Sequence, residues 1–202
     1  MPFIGNQPTA VPLTSADLED NIITTAKIAD ANVTNPKLSS GSQQNFRNII
    51  INGDMSIAQR GTSATGLTNG SGGYHTCDRW GFGEAGAPTC QFTQTQSTDV
   101  PNGQGFVKSL KMDCTTAQGS LAAADGVRVD QKFEGQNLQY LKKGTSSAES
   151  LTLSFWVKSN KTGTYIAEIF DNDNSRQISK AYTIDSANTW EKKTMTYAGD
   201  TS

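Results

Sequence analysis

The chain has 202 residues, 18% charged and 35% hydrophobic, with a formal net charge of -2, which suits one sizeable globular domain plus an appendage. No excess of Lys and Arg exists to neutralise a phosphate backbone, which argues against a nucleic-acid or anionic-membrane role. No stretch approaches the roughly 20 apolar residues of a bilayer span.

The opening "MPFIGNQPTAVPL" has neither a basic cluster nor an apolar run, so a soluble product without secretion signal or membrane insertion is expected. Cys77, Cys90 and Cys114 are too few and too widely spaced for a zinc site or a disulfide scaffold, and read as reduced thiols of a protein made in a cytoplasm.

Residues 13 to 38 repeat one unit three times, with Leu13, Leu18, Ile23, Ile28, Val33 and Leu38 falling at every fifth position. Five steps turn an α-helix by about 500° and send successive strand side chains to opposite faces, so neither element gathers these groups into a stripe. Two apolar groups per ten residues do not offset a backbone ordering cost of roughly 1 to 2 kcal/mol per residue. A single copy is therefore expected to order only against other copies or a docking partner. A homotrimer triples the apolar groups at each level and lets Thr, Ser and Asn bond between chains. The alternative is a flexible linker with a short helix opened by Ser15 and lined by Leu18, Ile22 and Ala26. The "TTAKI" type of unit, behind such an N-terminus, resembles the opening of tail-fibre and related appendage proteins of marine tailed bacteriophages.

These assignments divide the chain into a repeat segment for virion docking and trimerisation (1–40), a hinge (41–45) in the polar "SSGSQQN" stretch, and a β-rich body (46–202). In the body, short alternating runs are separated by Gly, Asn, Asp and Ser clusters, as in an all-β sandwich or barrel. Asn52-Gly53, after the apolar "IIIN", predicts a sharp turn at a strand end, followed by a Gly- and Ser-rich loop. Asp78 beside Arg79 suggests an ion pair with Trp80 packed beneath it.

Further along, "GVRVDQKFEG" places Val127, Val129, Gln131 and Phe133 on one side, and "SLTLSFWVKS" does the same with Leu151, Leu153, Phe155 and Val157. Weaker strands are predicted at 90–95, 110–114, 165–170, 178–184 and 190–197. Eight or so strands are enough for two packed sheets.

"FRNIIINGDMSIAQRGTS" followed by "YHTCDRW" resembles a jelly-roll module, similar to carbohydrate-binding modules, found in phage tail fibres and virion appendages. The matching positions are Asn52, Gly53, Asp54, Gln59, Arg60, Gly61, Tyr74, Asp78, Arg79 and Trp80, with "LSFWVKS" and "ANTWEKKTMTYAGDTS" carrying the likeness onward. His75 and Cys77 depart from the pattern. The family also continues past a "GDTS" like the one that ends at Ser202, so an incomplete sheet, or one finished by a neighbouring subunit, is expected.

The resemblance implies a structural virion protein in a tail or neck appendage, mainly β with a jelly-roll-like antiparallel sandwich. Its implied partners are itself as a homotrimer, other phage tail, neck or head proteins, and a host-surface glycan. Tyr74, Trp156, Tyr140 and Trp190 are the rings available to stack on a pyranose. "DNDNS" sets Asp171, Asp173 and Ser175 at alternate positions, as calcium loops do, but Arg176 and Tyr182 stand where an EF-hand has Gly and Glu; a hairpin turn is the simpler reading. Apart from a structural calcium there, no cofactor is expected. His75, the single histidine, lacks a G-x-S-x-G partner motif and reads as a loop residue. Paired glycosidase carboxylates would have to come from Glu84, Asp113, Asp125, Asp130, Glu134, Glu149 or Glu168, which spacing alone does not bring together. A non-enzymatic adhesin is thus the leading expectation, ahead of an architectural capsid or neck decoration and of a glycan-cleaving spike.

Overall fold

The computed structural model describes Ile28 and residues 48–202. Ile28 is exposed; Leu13, Leu18, Ile23, Val33 and Leu38, the other positions of the proposed oligomerisation repeat, lie outside the described residues. The body is mainly β, and every strand pairing in it is antiparallel, consistent with a β-sandwich.

Its strands are β1 (Ser63–Leu67), β2 (Gly73–Tyr74), β3 (Gly81–Ala85), β4 (Gln91–Ser97), β5 (Ser109–Thr116), β6 (Gly126–Asp130), β7 (Leu151–Val157), β8 (Gly163–Asp171), β9 (Arg176–Ile184) and β10 (Glu191–Tyr197). A 3-10 helix, Gly135–Leu141, connects β6 to β7. Hydrogen bonding groups them into four ladders, ordered β1-β4-β5, β2-β3-β6, β7-β10 and β8-β9.

The first two sheets meet through aromatic and polar side chains. Phe82 on β3 lies 6.2 Å from Phe92 on β4, ring centre to ring centre, and the Thr76 hydroxyl donates to the buried Gln94 amide oxygen at 2.9 Å. Leu67, Cys77 and Cys90 complete this part of the core. At one end it opens into an apolar cleft of about 320 Å³ lined by Cys90, Phe92, Cys114, Leu121 and Val127.

The other two ladders meet through tyrosines. Phe155 of β7 stands edge-on to Tyr182 of β9 at 5.2 Å, and Tyr182 stacks on Tyr165 at 5.8 Å. Tyr197, buried on β10, donates its hydroxyl to the Ala167 carbonyl of β8 at 2.9 Å. The alternation predicted for 151–157 therefore faces a core, whereas Thr152, Ser154 and Trp156 take the outer side.

Several expectations are corrected. The glycine- and serine-rich stretch after Gly61 is not all loop, because Ser63–Leu67 pairs with β4 and Gly73–Tyr74 with β3. Gly81–Ala85, outside the predicted strands, is the central strand of its sheet. β6 stops at Asp130, before Gln131 and Phe133, and its valines remain 37% and 38% exposed, Val127 bordering the apolar cleft. Asn52 does turn the chain with φ 53°, but among the described residues no strand precedes it.

Candidate functional site

The site begins with two glycines in a strand. Pairing puts Tyr74 of β2, Gly81 of β3 and Asp130 of β6 in one row across the sheet, so all three address the same face. The middle position has no side chain. Tyr74 and Asp130 stand two strand spacings apart, about 10 Å, over a bare backbone floor. In the neighbouring row Gly83 faces Arg128, and a Cβ at Gly83 would fall 2.8 Å from the Arg128 Nε and 2.9 Å from an Asp130 oxygen. The two β6 side chains thus lean across the space that the glycines leave free.

Gly72, Gly73, Glu84 and Lys132 complete a pocket of about 150 Å³ open to solvent. Glu84 reaches from the end of β3 over Gly72, where a Cβ would lie 3.3 Å from both carboxylate oxygens. Its Oε1 accepts the Gly70 N–H at 3.2 Å, while its Oε2 is buried without a hydrogen-bond partner among the described residues. Arg128 donates from Nη1 to the Glu84 carbonyl at 3.2 Å and holds Asp130 loosely, with Nε 3.6 Å from Oδ1. Lys132 forms no ion pair among the described residues. The groove therefore offers a ring, two acids and two cations around a flat floor, a set suited to binding a hydroxyl-rich ligand.

The "NGD…QRG…DRW" residues hold the wall of this groove in place. Asn52 accepts the Ile57 N–H at its Oδ1 (3.0 Å) and donates from Nδ2 to the carbonyls of Ile57 and Asp78, each at 2.9 Å. Trp80 donates its indole N–H to the Asn52 carbonyl at 2.9 Å, and Asp78 accepts the Gln59 N–H at 3.1 Å. Arg60, at the end of this loop, sits 3.7 Å from Asp78 and 5.7 Å above the Tyr74 ring centre. The expected Asp78–Arg79 pair is not formed. Asp78 takes Arg60, and Arg79 turns the other way, at φ 72°, to Glu134 at 3.2 Å and to the Lys132 carbonyl. Glu134 is held below the usual carboxylate range mainly by that guanidinium.

Of the four rings proposed for glycan stacking, Tyr74 alone lies in this groove. Trp156 belongs to the outer face of β7-β10, where it pairs across to Lys192, and Trp190 precedes β10. The Trp190 indole is engaged by Asp99, to which it donates at 3.0 Å, while Lys158 pairs with the same carboxylate. Those two donors, Lys158 first, lower the Asp99 pKa. Tyr140 is exposed on the 3-10 helix.

At the calcium candidate, Asp171 accepts from the Asn174 amide at 2.8 Å and from Lys143 at 2.9 Å, with Arg176 at 3.8 Å. These donors, Asn174 foremost, hold its pKa well below the usual carboxylate range. Cationic and amide nitrogens, rather than further oxygens, surround it; Asp173 and Ser175 are exposed in the hairpin turn. Among the described residues no group of three or more His, Cys, Asp or Glu gathers as a metal would require. His75 sits beside Phe82, 6.4 Å away, with its Nε2 2.7 Å from the Ser71 carbonyl. The three cysteines are free thiols, and burial pushes the Cys77 thiol up.

Two of the seven candidate carboxylates, Glu84 and Asp130, share the groove. Arg128, Lys132 and the floor glycines were not anticipated. The available signal was "GFG" next to an alternating run, since glycine inside a strand marks a place where something approaches the backbone closely. Comparison with protein-family models, with curated proteins and with solved structures finds no match to this chain.

Proposed function

We propose that the chain is a structural protein of a tailed-phage particle, a tail fibre or similar appendage, that docks through its N-terminal repeat and presents the β-sandwich to a host-surface glycan. In this reading the body is a jelly-roll-like module, the repeat makes a homotrimer, and three weak sugar sites on one stalk gain by avidity what each lacks in area. The observation that carries it is the groove: an aromatic wall at Tyr74, a glycine floor and polar groups converging on one small open pocket. In this reading the pocket binds its glycan without cleaving it.

A glycan array probed with the full chain tests this, with Tyr74→Ala as the matched variant. Array binding that drops about tenfold with the loss of the ring is the expected result. Unchanged binding in the variant removes the groove from the reading, and reducing-end release from a bound polysaccharide would convert the adhesin into an enzyme.

The outer face of the β8-β9 hairpin favours a second reading. Ile166 and Phe170, on the same side of β8, are 60% and 53% exposed, apolar surface of the kind that another virion protein covers. A silent array together with incorporation of the chain into particles would favour this architectural role.

A further inference from the structure

The charges of the groove are arranged by depth. Glu84 lies inside, over Gly72, with Oε1 taken by the Gly70 N–H and Oε2 closed to solvent. The cations lie at the mouth: Arg128 with a side chain 59% exposed, Lys132 exposed and without an acidic partner among the described residues, and Arg60 above the Tyr74 ring, itself 55% exposed. Asp130 is already faced by Arg128, and Arg60 by Asp78. The charge left free for a ligand is thus cationic and lies at the rim.

A neutral sugar makes no use of these cations, and an amino sugar would bring its ammonium into a rim that already carries three of them. An acidic sugar fits the rim, its carboxylate facing Lys132 and the Arg128 guanidinium, whose fork suits a carboxylate. Resting on the glycan-binding reading above, we propose that the groove recognises a hexuronate-bearing glycan, with Lys132 and Arg128 reading the carboxylate and the sugar ring stacking on Tyr74.

The test is calorimetric titration of the full chain with trigalacturonate, with its carboxyl-reduced counterpart, and with triglutamate as an anion that is not a sugar. Trigalacturonate should bind best, and its advantage over the reduced sugar should shrink between about 50 and about 500 mM salt as the charges are screened. Lys132→Gln should weaken the acidic sugar about two- to fivefold while leaving the reduced sugar unchanged. Equal binding of acidic and reduced sugars, insensitive to Lys132→Gln, overturns the uronate assignment and leaves the glycan site standing. Triglutamate binding as well as trigalacturonate overturns the sugar assignment in favour of anions in general. Binding of none of the three overturns the assignment, and the array then decides whether the glycan reading falls with it.

Discussion

The region from β1 to β6 and the region from β7 to β10 solve the same packing problem with different chemistry. In the first, loops are pinned by side chains that bond to backbone: Asn52 to Ile57 and Asp78, Trp80 to Asn52, and Gln96 to Met55 and Ser56. In the second, long strands alternate regularly and tyrosines fill the space between ladders, while charged groups sit at the turns and ends. Glu191 shows the latter pattern, accepting the N–H groups of Asp185 and Ser186 while paired with Lys193. A backbone held by directional bonds can leave side-chain positions empty. The glycine-floored groove accordingly lies in the first region, where shape does not depend on filling every row with a side chain.

The sharpest way to break this comparison is to add one methyl group to each region. Gly199, beyond β10, has no room: a Cβ would run into the Ala148 carbonyl and lie 2.9 Å from the Glu149 carbonyl oxygen. Gly199→Ala is expected to cost about 3 kcal/mol, because backbone on both sides must move. It should also loosen the neighbouring Asp200, which accepts from Arg176 at 2.9 Å. Gly83→Ala meets only the flexible ends of Arg128 and Asp130, so it should cost about 1 kcal/mol or less while filling the groove and abolishing ligand binding. Denaturant unfolding of both variants, with titration of the second, checks the contrast. A Gly83→Ala protein as unstable as Gly199→Ala would mean that the groove floor is structural.

Next in size is the pin itself. Asn52→Ala deletes three hydrogen bonds and leaves alanine at φ 53°, for an expected loss of about 2 to 3 kcal/mol. Asn52→Gly removes the same bonds but relieves the backbone, so the difference between the two variants in thermal unfolding isolates the strain from the bonds. Equal stability of both would assign the whole effect to hydrogen bonding.

The same contrast explains what could be read from the amino acids. The strands in "GVRVDQKFEG" and at 151–157 were visible because their apolar residues alternate with period two, and those at 165–170, 178–184 and 190–197 as weaker runs between turn residues. β1, β2 and β3 were not, since Gly66, Gly73, Gly81 and Gly83 interrupt any pattern and pairing alone makes them strands. Asp78 and Arg79 misled for a related reason. The two stand in a turn in which Arg79 takes φ 72°, so their side chains part and each found a partner elsewhere in the chain, Arg60 for one and Glu134 for the other. Of the groove, Tyr74 was legible as a candidate ring; Glu84 and Asp130 were legible only as carboxylates, and Arg128 and Lys132 became visible once register placed them.

The smallest expected effect lies in the second region and is a matter of pH. Asp171 has a folded-state pKa lowered first by the Asn174 amide and then by Lys143, and its side chain is only 14% exposed. A group depressed on folding contributes stability that is complete above its unfolded value of about 3.9 and is lost as pH falls through the folded value. The wild-type body should therefore lose stability steadily below about pH 4, with Lys143 and Arg176 left facing a neutral acid. Asp171→Asn cannot be protonated in that range, so its unfolding midpoint should start lower at neutral pH and fall less steeply in acid. Parallel curves for the two proteins would show that the hairpin end is held by its tyrosine packing, and that the charges around Asp171 contribute nothing to the fold.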